Sequence, residues 1–226
     1  MRRMTVAALA VAGALAAVAE VRAQGMMRGM GPMMGLGILR SNEAKEELKL
    51  SNEQSEKIDA LMEQMRSSMM ERFQALQDVP EEERQEKAQT MMRELAADVK
   101  KELRAVLDAD QFARYEQINL QAMGVDAFLQ PEVIEQLKIT AEQQEKLQQA
   151  VGTMREQMME ISQSAQRDRE GAMRRMTELR QSTQKKVMEL MTADQKSAWE
   201  KMIGKPFQMP AFGGGFGGGR PRRPPG

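Results

Sequence analysis

Four times in this chain an apolar residue is followed by Ser, Thr or Asp, two spacers and Gln, with a further apolar residue four positions on. The copies are Leu50-Ser51-Asn52-Glu53-Gln54 with Ile58, Leu107-Asp108-Ala109-Asp110-Gln111 with Tyr115, Ile139-Thr140-Ala141-Glu142-Gln143 with Leu147, and Met191-Thr192-Ala193-Asp194-Gln195 with Trp199. The pattern is chemistry for starting a helix. A hydroxyl or carboxylate at the N-cap accepts a hydrogen bond from a free backbone N–H of the first turn. Gln three residues later reaches back to the N–H of the cap residue. The apolar residues before the cap and seven after it can both face a core. Read alone, these residues are helix caps and need no further chemistry.

The segments between the caps carry helical periodicity. Ile58, Leu61, Met65, Met69, Phe73 and Leu76 form one stripe of a helix predicted over 52–77. Asp78-Val79-Pro80-Glu81 predicts a turn and a restart, with Asp78 as the cap and Pro tolerated in a first turn. The next helix runs to about Val106, with Ala88, Met92, Leu95, Val99 and Leu103 on one face. Two long helices across a short turn make a helical hairpin. Ser41-Asn42-Glu43 predicts a short helix to about Leu48, and the second motif predicts one to about Met123, ended by Gly124.

The order then repeats. Pro131 opens a short helix, and Leu48, Ser51, Gln54, Lys57, Met65 and Met70 recur 89 positions later as Leu137, Thr140, Gln143, Lys146, Met154 and Met159. Past the hairpin turn, Leu95, Gln111 and Tyr115 recur 84 positions later as Leu179, Gln195 and Trp199. Five residues are lost at the turn, and the matched order is the signature of an internal duplication. The second copy has no Pro at its turn. Gln166-Arg167-Asp168-Arg169-Glu170-Gly171 must turn the chain if the hairpin is kept; a continuous helix over 141–190 is the alternative. The expected fold class is all-α: two tandem copies of a long amphipathic helical hairpin with short flanking helices and disordered termini. The units span 41–124 and 125–204.

The paired Leu-Thr-x-x-Gln pattern in an all-helical chain resembles the Spy/CpxP family of periplasmic stress proteins. The pairs are Ser51/Gln54 with Asp108/Gln111 and Thr140/Gln143 with Thr192/Gln195, and the resemblance covers most of 43–205. Ser51 and Asp108 stand in place of Thr, and Ile139 and Met191 in place of Leu. The family's usual chain has one such pair, and this one has two. A tandem chain can therefore supply internally what the family builds by dimerisation, so both a homodimer and a self-contained monomer stay open. The resemblance implies an ATP-independent chaperone that holds unfolded or partly folded envelope proteins on an amphipathic helical surface. It also implies two alternatives: a copper-type metal-binding or resistance protein, and a regulator of a membrane stress sensor.

The ends of the chain fit an exported protein. Arg2 and Arg3 precede an apolar, Ala-rich run from Thr5 to Ala19, and Val21-Arg22-Ala23 offers a small-residue cleavage site; 1–23 is read as a signal peptide and the destination as the periplasm. Residues 24–40 read as a flexible Met- and Gly-rich arm. Residues 205–226, with two Gly triplets and Arg220, Arg222 and Arg223, read as a disordered Gly/Pro/Arg tail.

Composition narrows the chemistry. His and Cys are both 0, which removes the usual catalytic triads, zinc sites and thiol nucleophiles, and no enzyme activity or cofactor is expected. Residues 1–23 carry Arg2, Arg3 and Arg22 against Glu20, so the rest holds 30 basic and 32 acidic residues, not the basic face that nucleic acid wants. Met is 23, and its flexible, polarisable side chain suits both a helical seam and promiscuous contact. Met26, Met27, Met30, Met33 and Met34 are candidate thioether ligands for a soft ion such as Cu(I).

Overall fold

The computed structural model describes residues 31–209, with side chains from Gly35 onward. Among the described residues every regular element is helical: α1 Gly31–Ile38, α2 Asn42–Glu47, α3 Asn52–Gln77, α4 Glu81–Val106, α5 Ala109–Met123, a 3-10 segment Gly124–Leu129, α6 Pro131–Gln136, α7 Ala141–Ser164, α8 Arg169–Leu190 and α9 Ala193–Ile203. Ser51, Asp108, Thr140 and Thr192 are the N-caps of α3, α5, α7 and α9. Each extended cap residue feeds a helix whose apolar stripe then turns inward.

Helices α3 and α4, about 39 Å long at 1.5 Å per residue, lie against each other across the turn at 78–80. Helices α7 and α8 do the same across 165–168, so the chain is not one continuous helix over 141–190. The second turn is built without proline. Asp168 caps α8 by accepting from Gly171 N–H at 2.8 Å. A Cβ on Gly171 would stand 1.9 Å from the Asp168 carboxylate, so glycine is what lets the cap close. The first turn differs from expectation. Asp78 ends α3 as its C-cap, and Pro80, which has no side-chain donor or acceptor, is the N-cap of α4. The Arg84 guanidinium donates to Val79 O at 3.0 Å across that turn.

Two hydrophobic cores form at the motif ends of these helices. The first gathers Ile58 and Met65 of α3, Leu95 and Leu103 of α4, and Phe112, Tyr115 and Ile118 of α5. The second gathers Leu147 and Met154 of α7, Val187 of α8 and Trp199 of α9, with Phe128 against Trp199 at 4.3 Å between ring centroids. Helix α5 serves both, since Leu120 and Met123 on its last turn pack on the second core. A small third cluster, Leu76, Met91 and Met92, sits near the first turn.

Two expected boundaries move. The flexible arm expected over 24–40 is helical from Gly31, and Leu36, Ile38 and Leu39 are fully buried in the first core. Gly35 allows this: a Cβ there would lie 2.5 Å from both the Tyr115 hydroxyl and the Asn119 side chain. Eighty-nine positions on, Val125, Ala127 and Phe128 are buried in the second core. At the other end, residues 205–209 of the expected disordered tail are held on the protein, because Phe207 and Met209 pack on the first core. The expected signal peptide 1–23, the arm residues 24–30 and the tail residues 210–226 lie outside the described residues.

Candidate functional site

The four motif glutamines meet in pairs. In the first pair, Gln54 Nε2 donates to Gln111 Oε1 at 2.6 Å, and Gln111 Nε2 donates back to Gln54 Oε1 at 3.2 Å. In the second, Gln143 Nε2 donates to Gln195 Oε1 at 2.8 Å and receives the return bond at 3.0 Å. Each carboxamide is also the lid of its own capping box: the oxygens of Gln54, Gln111, Gln143 and Gln195 accept from the backbone N–H of Ser51, Asp108, Thr140 and Thr192. The second N–H of each amide goes to a helix C-terminus. Gln54 donates to Val106 O at 3.0 Å and Gln143 to Leu190 O at 2.7 Å, the last residues of α4 and α8. Gln111 donates to Leu48 O at 3.0 Å and Gln195 to Leu137 O at 3.2 Å, the C-caps of α2 and α6.

Every donor and acceptor of each amide is thus used, and each pair joins two helix starts to two helix ends. Carbonyls that a helix leaves unpaired at its end are satisfied by the amides that open other helices. The backbone fixes which end of each amide is oxygen, because cap N–H groups need an acceptor and helix-end carbonyls need a donor. The residues beside each node repeat the match. Lys49 and Lys138 both adopt φ of 51°, and Leu50 and Ile139 donate back to Lys45 O and Ile134 O at 3.0 and 2.9 Å. That is a Schellman ending with lysine in the left-handed position glycine usually takes.

Leu50, Leu107, Ile139 and Met191 precede the caps; the last three are buried and Leu50 is half-buried against the first core. The motif residues therefore hold helices together and leave no open chemical group. Tyr115, the chain's one tyrosine, is buried, and that burial, with the Glu116 charge second, pushes its phenol well above the ordinary range. Among the described residues no three His, Cys, Asp or Glu side chains are grouped to hold a metal. Met26, Met27 and Met30 lie outside the described residues, and Met33 and Met34 fall in α1.

The surface holds what the nodes do not. Among the described residues the exposed large apolar side chains are Met70 (59%), Phe73 (39%), Met159 (67%) and Met173 (50%). All four lie close to the two hairpin turns: Met70 and Phe73 on the last third of α3, Met159 near the end of α7, and Met173 on the second turn of α8. Met70 and Met159 are the matched pair of the 89-residue repeat. The sequence stripe places Phe73 with the seam; in the structure it stands at the edge, because the third cluster closes on Leu76 from α4 and leaves Phe73 beside it. No described helix is long and apolar enough to cross a membrane. No protein-family model, curated protein or solved structure matches the chain.

Proposed function

We propose that this chain is an exported, ATP-independent holdase of the Spy/CpxP type, built from two copies of one helical hairpin in tandem. The observation that carries the functional reading is the exposed methionine surface beside both hairpin turns, Met70, Met159 and Met173, with Phe73. Flexible thioether side chains on a solvated helix adapt to many apolar partners, and exposed charged neighbours such as Arg66, Glu71 and Glu160 limit self-association. The tandem reading is supported by the two amide nodes, whose bonds match partner for partner at offsets of 89 and 84 residues. The export reading rests on residues 1–23, and the clients it implies are unfolded envelope proteins.

The test is direct. The chain from residue 24 onward is mixed with a chemically unfolded client and light scattering is followed without nucleotide. Suppression near equimolar ratio is expected. Scattering that is unchanged at several-fold molar excess removes the reading.

A further inference from the structure

Helix α9 ends at Gly204, whose φ of 61° and ψ of −150° suit glycine alone, and whose missing side chain makes room for Gln117: a Cβ would lie 2.3 Å from Gln117 Oε1. The chain turns there and runs back over α5. The Gln121 carboxamide reads its backbone from both sides, donating to Lys205 O at 2.8 Å and accepting from Phe207 N–H at 2.8 Å. Gln121 also donates to Ile203 O at 2.6 Å. The Arg114 guanidinium donates to Lys205 O at 2.9 Å and is itself held by Glu47 at 2.7 Å and by Gln117 at 2.9 Å. Phe207 and Met209, alternate residues, lay their side chains on the first core, and Gln208 between them is exposed.

We propose that this face of α5 is a seat for an extended polypeptide with apolar residues at alternate positions, taken in the resting chain by its own residues 205–209. The polar contacts go to backbone groups, which any sequence offers, and selection comes from two apolar side chains set two residues apart, the period of an extended strand. Nothing in that set is particular to Lys205 or Gln208 as side chains. The tethered segment acts as a built-in competitor whose effective concentration the short connection to α9 keeps high. The inference deepens the holdase reading, on which it rests for its natural ligand: the client chemistry is an extended apolar-x-apolar stretch of an unfolded chain.

The probe is a fluorescent peptide with the sequence of residues 203–210, IGKPFQMP, followed by anisotropy. The full chain and its Phe207→Ser/Met209→Ser variant are compared. The variant should bind the peptide at least ~10-fold more tightly than the unaltered chain, because its tethered competitor is weakened. A control peptide with Ser in place of both Phe and Met should bind neither protein. A variant that keeps its helical circular dichroism and binds the peptide no better than the unaltered chain overturns the proposal; equal binding of the control peptide does so too. Gln121→Ala supplies an independent readout that leaves both cores intact: hydrogen exchange at the Phe207 amide should accelerate at least ~10-fold. Unchanged exchange means the amide does not hold the segment. Aggregation assays separate the two readings. Peptide binding without client protection keeps the seat and removes the holdase; client protection without peptide binding does the reverse.

Discussion

At the scale of single residues, the nodes explain why the motif ends in Gln. A capping box alone works equally well with Glu. The paired amides do not, because each must donate two N–H bonds as well as accept two. Asn is a methylene shorter and withdraws from the facing amide. Gln143→Glu is therefore expected to cost about 2–3 kcal/mol, since a carboxylate would face Gln195 Oε1 and Leu190 O with nothing to donate. Chemical denaturation measures it, and a loss below half a kcal/mol would mean the pair is incidental. The caps are readable in the sequence because their partners are three residues away. The pairing of Gln54 with Gln111 spans 57 residues, and no local feature separates a Gln that only caps from one that also clasps. Tyr115 gives a second test. Burial raises its phenol, so the folded chain keeps a proton that the unfolded chain gives up. The stability it contributes is complete below pH ~10 and is lost as the pH climbs above that value. Tyrosinate absorbance, from the chain's one tyrosine, should rise together with loss of helical signal; free titration at constant helicity would contradict the burial.

At the scale of elements, local signals reach as far as local causes do. Helix starts with a cap, stops at Gly124 and Gly204, and Pro131 as a first helical residue are all short-range chemistry, and they mark real boundaries here. The first hairpin turn carries Pro80 and can be read directly. The second can be reached only through the repeated residue pattern, because Asp168 and Gly171 are a cap whose geometry depends on a missing Cβ. Helix α1 is hidden for a different reason. Its Gly- and Met-rich composition argues against a helix, and burial of Leu36, Ile38 and Leu39 against α5 overrides that weak preference. Where no such packing operates, propensity should decide. Gly152 lies inside α7, and a Cβ there meets nothing within 4 Å. Gly152→Ala should stabilise by about 0.8–1 kcal/mol, read from the denaturation midpoint; a loss would place an unseen demand on that position.

At the scale of the whole molecule, α5 ties the halves together. Its first turns complete the first core, its last turn belongs to the second, and residues 203–209 are bonded along it. The two halves should therefore unfold as one unit. Trp199, the chain's one tryptophan, sits in the second core and reports on it alone. Leu103 is fully buried in the first core, and Leu103→Ala should remove about 2–5 kcal/mol. That loss is expected to appear in the Trp199 fluorescence transition as fully as in circular dichroism. An unmoved Trp199 transition would mean that the cores are independent. The joint is the part of the architecture least visible in sequence, since Gln121 and Phe207 lie 86 residues apart and neither belongs to the repeat.

Among the described residues, the large apolar side chains left on the surface once the cores and nodes are formed are methionines beside the hairpin turns, with Phe73, and the functional reading stands on them. The measurement is suppression of client aggregation by the chain and by its Met70→Ser/Met159→Ser/Met173→Ser variant, at matched helicity and denaturation midpoint. The chain should keep an unfolded client from scattering light without nucleotide, and the variant should lose most of that protection. Equal protection by both proteins, or protection by neither, would contradict it.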